Sequence, residues 1–521
     1  MDVFTSFRKL ATLHPTETVV IQNNKNIIFT ELLDLSEKVA AGLKQDGIKK
    51  GDRISIHVGN KVELLATYYA CLKIGAIFVP INLKISANEA KKLIQHSSSR
   101  LYIGDAIRFH EMDKEIESCP TIEKKWIIDL SHSDENHHTR SWDNVISNVV
   151  PDDADDRHTD EIASLFYTSG TTGQPKGIVY SQQTLVDALN LTQATINPTL
   201  KKTNNKKNVI VSLVDLASPW SILITLAAIQ KGYTVLLLPE SNINELVELL
   251  KKKNIAWIAG TPSNFQAVIN VAEKQNAPLN LSDAVCVVGG DVCGTELSQR
   301  FLSCFGSRLQ SSYGQTELGG PVMYHHDLCA FNEPSIGWAL PSVKFRIEST
   351  SSEGKGELFI LTPAKAVGIW NGHDIDRFPS ERWLATGDIV QQAPDGHLIF
   401  IGRRKEQIKI EGYPVYPVEI EQTLIQHQDI FAAVAFSVPD TFSGERIIAL
   451  VQTASDNTPS AENLSEFLSH HIANYKQPSE YLFVQDIALA TMGKISRRKL
   501  SNQYEQLKNQ AIKYITVSTQ A

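Results

Sequence analysis

The chain has 521 residues, 42% of them hydrophobic, and a formal net charge of −8 at pH 7. That length exceeds one ordinary domain and suffices for large buried cores. An acidic balance with no basic stripe argues against nucleic acid as a partner, and nowhere do the roughly 18 uninterrupted apolar residues of a membrane helix occur.

The N-terminal "MDVFTSFRKLATLHPTE" lacks the charged start and apolar core of a secretory signal. The six cysteines (71, 119, 286, 293, 304 and 329) show no C-x-x-C spacing, which reads as reduced, buried thiols in a cytoplasmic protein. Thr30 is expected to cap a helix over "ELLDLSEKVAAGL", with Leu32, Leu35, Val39 and Leu43 on one stripe. "DRISIHV" predicts a strand, and "KVELLATYYACLKIG" a helix stopped by Gly75. The polar stretches "HSDENHH" (132–138), "PDDADDRHTDE" (151–161) and "KKTNNKKN" (201–208) read as solvated loops, and the irregular histidine spacing argues against a metal. The pairs His325–His326 and His470–His471 get the same reading.

Strand and helix patterns keep alternating beyond residue 200. "NVIVSL", a helix from near Pro219, "TVLLL", the helical "NINELVELLKKKN", "IAWIAG", a helix from Pro262 and "AVCVVGG" follow one another. Over the first 400 residues this predicts an α/β fold of parallel sheets covered by helices. Near residue 400 the pattern changes. "DIVQQAPDGHLIFIGRR" reads as a hairpin turning at Asp395–Gly396. A helix from Pro417, the strands "IFAAVAFSV" and "RIIALVQTA", the helix "SAENLSEFLSHHIANY", the strand "EYLFVQD" and a basic tail helix complete a small α+β domain. The expected division is 1–402 and 403–521.

"LFYTSGTTGQPKG" (165–177) is the most informative stretch. The common phosphate loop requires G-x-x-x-x-G-K-[ST]. Here Pro175 stands where its second glycine belongs, and Gly177 follows the lysine. Proline also turns Gln174 away from helical geometry, so this loop does not run straight into a helix. It still offers a polyphosphate close backbone approach at Gly170 and Gly173, hydroxyls from Thr168, Ser169, Thr171 and Thr172, and a cation in Lys176.

This loop resembles the signature of the adenylate-forming superfamily: acyl- and aryl-CoA ligases, peptide-synthetase adenylation domains and firefly-type luciferases. Four further stretches resemble that family's motifs in order: "SSYGQTELGG" (Y-G-x-T-E), "WLATGDIV" (T-G-D), "IGRRKEQIKIEGYPVYPVEIE" (hinge and glycine loop) and "ATMGKISRRKL" (G-K-x-x-R). The similarity is greatest to acyl-CoA synthetases. It implies a large AMP- and acyl-binding domain and a small mobile one. It also implies two half-reactions, in which a carboxylate attacks the α-phosphorus of ATP and a thiol then displaces AMP.

The resemblance assigns the 168–176 loop to the departing pyrophosphate, with Lys176 catalytic. Glu317 is implied as the Mg²⁺ ligand, with Thr168 second, since Mg²⁺ keeps waters and takes few carboxylates. Tyr313 would pack on adenine, in the segment Tyr313, Gly314 and Thr316, while Gly289, Gly290 and Asp291 line it. Asp388 would accept both ribose hydroxyls through its two oxygens, beside Arg403. Lys494 would neutralise charge building between carboxylate and α-phosphate. The motif departs from the family pattern at Ala488 and Met492. Lys405 falls at the hinge, and Gly412 and Tyr413 on the pantetheine path.

Asp215, Trp220, Thr261 and Gly319 are the expected acyl-pocket residues, with room left by Gly314, Gly319 and Gly320. Asp215 is either an ammonium-binding carboxylate or one satisfied by backbone or capping the helix near Pro219; the second reading is preferred. The expected cofactors are ATP, Mg²⁺ and CoA. The expected function is ligation of a fatty or aromatic carboxylic acid to CoA. The alternative is loading of an amino or aryl acid onto a carrier-protein phosphopantetheine, and a degenerate binding homologue is the third reading. Homodimerisation is left open.

Overall fold

The computed structural model describes residues 1–131, 135–136, 138–151, 161–168, 176–196, 209–238, 247–250, 255–274, 279–325, 335–349, 354–379, 383–410, 413–440, 444–453, 458–487 and 496–516. Two large sheets organise the first 400 residues. A nine-stranded sheet holds the parallel strands Arg53–His57, Ile77–Pro80, Leu101–Asp105 and Lys124–Ile128, with Ile162–Thr168 and Lys176–Ser181 paired antiparallel beside them. A 13-stranded sheet runs parallel from Thr18–Gln22 through Thr234–Leu237, Val209–Ser212, Ile255–Gly260 and Val285–Gly289 to Leu309–Gln315. The alternation of the sequence is therefore realised as parallel sheets with helical crossovers.

Helices Val62–Ile74, Gln182–Ile196 and Pro219–Gln230 share one core with residues from both sheets, among them Ile54, Phe78, Ile210, Trp257 and Val287. Burial on both sides explains their composition. Ser221 through Ile229 are all buried, so this helix is apolar all round instead of striped. Gly75 ends Val62–Ile74 at φ +70°, a conformation glycine adopts without steric cost.

Three expectations are corrected. Thr30 does not cap its helix, which runs Phe29–Gln45; its hydroxyl donates to the Pro15 carbonyl, and Glu31 reaches back to accept from the Ile28 amide at 2.9 Å. A glutamate in the first turn can serve an orphan donor as well as a preceding threonine can. The alternation does not last to residue 400. From Gly320 onward the large sheet continues antiparallel through Ser335–Ala339, Leu398–Arg403, Leu384–Gln392, Lys355–Leu361 and Lys344–Ser349. Hairpin connections replace crossover helices there, and period-two patterns in short strands are easily overlooked. Cys293 and Cys304 are only partly buried, whereas Cys71, Cys119 and Cys286 are core residues; Cys329 lies outside the described residues.

Arg403 is the last residue of the large sheet, paired with Asp388, and a single 3-10 turn, Arg404–Glu406, leads out of it. The chain then forms the two-stranded Ile408–Ile410 and Tyr413–Val415 ribbon. Helix Pro417–Ile425 follows, then a four-stranded sheet of Ile430–Asp440, Gly444–Thr453, Glu480–Phe483 and Lys513–Thr516. This unit has cores of its own, one on each face of its sheet.

Candidate active site

Thr168 and Lys176 face each other across the antiparallel pair Ile162–Thr168 and Lys176–Ser181, at the two ends of the Gly/Thr/Ser stretch. Strand returns to strand here, as the proline predicted, and no helix follows the lysine directly. Ser169, Gly170, Thr171, Thr172 and Gly173 lie outside the described residues. Burial chiefly lowers the Lys405 pKa, with Arg403 and, least of all, Lys176 adding to it.

The strongest assembly centres on Asp388, whose carboxylate is buried at 1% exposure. The Tyr313 hydroxyl donates to its Oδ2 at 2.7 Å, and the Gln315 amide to the same oxygen at 2.9 Å. Arg403, its cross-strand partner, brings Nε to 3.1 Å from Oδ1. Burial pushes the Asp388 carboxyl above the usual carboxylate range, against the opposing pull of Arg403, Tyr313 and Gln315. Such a buried acid, held by a cation and two donors, can accept from a polar ligand. One oxygen already carries both Tyr313 and Gln315.

The backbone around Tyr313 is packed too tightly for side chains. A Cβ on Gly314 would lie 2.1 Å from the Gly320 carbonyl oxygen. A Cβ on Gly319 (φ +83°) would lie 1.9 Å from the Ala364 carbonyl oxygen. Gly319 is thus needed for a turn, and does not simply leave room for a substrate. One on Gly289 would lie 2.6 Å from the Ser312 carbonyl oxygen and 3.1 Å from the Trp220 ring. Gly290 and Asp291 are exposed beside it.

Glu317 sits in the 3-10 turn Thr316–Leu318 directly after Tyr313's strand. The turn is anchored by its backbone: Tyr180 donates to the Thr316 carbonyl at 2.8 Å, and the Ala366 amide to the Glu317 carbonyl at 3.1 Å. Among the described residues the Glu317 carboxylate has no hydrogen bond or salt bridge, so an oxygen donor stands ready for a hard cation. No cluster of three His, Cys, Asp or Glu residues suited to a metal occurs among the described residues, so a cation here would rely on ligand oxygens.

Comparison with known proteins decides the chemistry. The family model of the AMP-binding enzyme matches residues 7–370, and that of the AMP-binding enzyme C-terminal domain matches 419–494. The chain belongs to the AMP-binding enzyme family. It is similar to the crystal structure of coronafacic acid ligase from Pectobacterium brasiliense, at 60% identity and TM-score 0.83, covering 99% of this chain and 100% of that one. It is 26% identical to a long-chain-fatty-acid–CoA ligase of Bacillus subtilis, covering 96% of this chain and 93% of that protein. It is also 26% identical to the fatty acid–[acyl-carrier-protein] ligase ScoC of Streptomyces coeruleorubidus, covering 94% of each. The chain is therefore an adenylate-forming enzyme, an AMP-forming acid–thiol ligase that uses ATP.

In this ligase Trp220 and Thr261 border the Gly289–Gly290 segment. The Trp220 ring packs on Gly289, and the Thr261 methyl lies 3.6 Å from where a Gly290 Cβ would be. The Thr261 hydroxyl is engaged with Asn264 and Ser263. Asp215 makes a local turn: its Oδ1 accepts from the Ala217 amide at 2.9 Å, and its carbonyl from Ser218. The backbone-satisfied reading holds for that oxygen. The capping reading does not, because Ser218 occupies the N-cap of Pro219–Gln230. The other oxygen is buried, and burial raises the carboxyl's pKa against the opposing pull of the Ala217 and Leu83 backbone amides.

The junction with the small domain is bracketed by ion pairs. Arg404 holds Glu357 of the large sheet at 2.7 Å, and Glu406 receives Arg497 at 2.5 Å. Lys405 lies between them, its pKa lowered chiefly by burial. Arg497 also forks onto both oxygens of buried Glu421 at 2.9 Å and donates to the Ala435 carbonyl. Tyr413 is exposed and packs against Tyr475 at 5.2 Å. Gly412 and Lys494 lie outside the described residues. Gln315 and Arg497 were both within quoted motifs, yet their partners are 73 and 76 residues away, so spacing alone carried no signal for them.

Proposed function

We propose that this ligase activates a compact apolar carboxylic acid, aryl or alicyclic, as its acyl-adenylate and passes the acyl group to CoA. The observation that carries the reading is the Trp220 ring against Gly289 in the segment bordering Tyr313, a flat apolar wall beside the nucleotide position. Whole-length similarity to coronafacic acid ligase supports an acid of that kind. An amino-acid substrate is disfavoured. Asp215 spends one oxygen on its own turn, and its burial raises the cost of the ionised form that an ammonium needs.

In this proposal Asp388 holds the ribose, Tyr313 packs on adenine, and Gly289, Gly290 and Asp291 line it. Thr168 and Lys176 hold the phosphates with residues 169–173. Glu317 would hold Mg²⁺, with Thr168 nearby in role; the bound cation supplies charge neutralisation at the phosphates. Lys494 would neutralise the attacking carboxylate. Lys405 would be the pivot, and Gly412 and Tyr413 the pantetheine path, with residues 403–521 as the moving domain. A second reading, transfer to a carrier-protein phosphopantetheine, is favoured by the similarity to ScoC.

Acid-dependent pyrophosphate release tests the reading. The panel is coronafacic, benzoic, long-chain fatty and amino acids, each with CoA, a phosphopantetheinylated carrier protein or a free amine as acceptor. The expected result is release with cyclic acids and thioester with CoA. Preference for amino acids would overturn the acid assignment, and thioester only on the carrier would select the second reading.

A further inference from the structure

Away from the nucleotide position, the two domains touch along a second face. The large domain supplies helix Thr295–Phe305 and the glycine before it; the small domain supplies helix Pro417–Ile425 and the start of strand Ile430–Asp440. The Arg300 guanidinium lies 6.0 Å from the centre of the Phe431 ring, at the outer reach of a cation–π contact. Arg300 is braced from behind. Its Nη2 donates to the two Glu273 oxygens at 3.1 and 3.3 Å, and Nη1 to the Gln266 side-chain oxygen at 3.5 Å, both on helix Pro262–Lys274. Phe431 is half-buried yet belongs to neither core of the small domain. At the head of helix Thr295–Phe305, the Gln422 amide oxygen lies 3.4 Å from where a Gly294 Cβ would be. Against the opposing effect of burial, Glu421, Glu406 and, least of all, Asp291 raise the Arg497 pKa, so this small-domain arginine lies within reach of the 289–291 segment. The ribbon proposed for the pantetheine path is in solvent: Lys409, Tyr413 and Pro414 are exposed, Tyr413 at 58%.

We propose that Arg300 and Phe431 form a latch that holds the small domain in its acid-activating orientation, and that opening this latch is a step of thiol transfer. The inference rests on the pantetheine path proposed for Gly412 and Tyr413. That path requires the ribbon at the active site. Here the ribbon is in solvent while Arg497 lies by the 289–291 segment, so the contacts of this face belong to the first half-reaction and must break before the second. A lone cation–π contact is weak, which suits the task, since it biases the orientation without trapping it. Both are positioning residues, acting through the placement of the domain.

The test uses the full chain in two arms. In the first, Phe431→Leu, Phe431→Trp and Arg300→Met are compared with wild type in ATP–pyrophosphate exchange and in thioester formation with the thiol acceptor that wild type uses. Losing an exposed cation–π contact changes an equilibrium about two- to fivefold. Apparent affinity for a ligand of the less populated orientation rises in proportion to that population. Phe431→Leu and Arg300→Met should therefore lower the KM for the thiol about two- to fivefold, with the KM values for ATP and acid within about twofold. Combining them should add nothing beyond either alone. Phe431→Trp, which offers the better ring, should keep the wild-type KM or exceed it. In the second arm, Gly294→Cys and Gln422→Cys are joined by a cleavable bis-thiosulfonate linker in a Cys293→Ser background. Gly294 has φ −70°, which admits a side chain. The linked enzyme should keep pyrophosphate exchange and lose thioester formation, with dithiothreitol restoring it. An unchanged KM for the thiol in both latch variants, or an equal change in all three KM values, would overturn the latch. If the linked enzyme meanwhile loses only thioester formation, the orientation stands and the latch alone fails. Loss of pyrophosphate exchange on linking would overturn the assignment of this orientation to acid activation. Thioester formation by the linked enzyme would overturn the pantetheine path itself.

Discussion

Replacing Arg497 with methionine should unfold the small domain far more easily than its place in a basic tail suggests. Its guanidinium is only 18% exposed and makes a fork onto Glu421, a bond to Glu406 and a bond to the Ala435 carbonyl. Methionine keeps the apolar stem but leaves the largely buried Glu421 carboxylate with the Ala435 amide and no cation. Breaking one side of a buried pair costs about 3–5 kcal/mol. At about 2–4 °C per kcal/mol, this predicts a midpoint lower by roughly 6–20 °C in scanning calorimetry of the full chain. The deficit should depend on pH. Burial already raises the Glu421 carboxyl above its ordinary 4.5, and losing Arg497 raises it further. A raised folded-state pKa favours folding below the ordinary value and loses that benefit as pH rises through the folded value. The variant's deficit is therefore smallest near pH 4.5 and grows toward neutrality. An unchanged midpoint at neutral pH, or a deficit independent of pH, would refute the reasoning.

Three further outcomes are expected. Lys494→Ala should abolish adenylation yet still convert supplied acyl-adenylate to thioester; loss of both activities would indicate structural damage. Lys405→Pro should retain ATP–pyrophosphate exchange and lose thioester formation, because proline fixes the dihedral a pivot must change; equal loss of both rates would remove the hinge assignment. Gly314→Ala would set a Cβ 2.1 Å from a backbone oxygen. Overpacking costs about 1–3 kcal/mol, and the displaced Tyr313 should raise the KM for ATP more than that for the acid; unchanged ATP kinetics would show that the strand has slack.

What could be read from the sequence was whatever is local. Pro175 indicated that the lysine does not run straight into a helix, and Lys176 opens a strand paired antiparallel with that of Thr168. Gly75 stopped its helix, and Asp395–Gly396 turned its hairpin, with Gly396 at φ +93°. What could not be read was pairing across distance. Asp388 was legible as a motif aspartate by resemblance, but nothing in its neighbourhood of the chain reveals Tyr313 and Gln315 on one of its oxygens. Arg497 looked like one cation among several, because its acidic partners belong to a helix and a turn far upstream. The antiparallel extension beyond Gly320 was hidden for a similar reason, since short strands take their order from partners and not from their own period.

The central claim is that the chain uses ATP to make an acyl-adenylate from a compact apolar acid. Incubation with ATP labelled at the γ-phosphate and coronafacic or benzoic acid, without any acceptor, measures it most directly. The account predicts acid-dependent labelled pyrophosphate together with enzyme-held acyl-AMP, and thioester once CoA is added. Release of labelled orthophosphate, or pyrophosphate formed equally with and without acid, would contradict it.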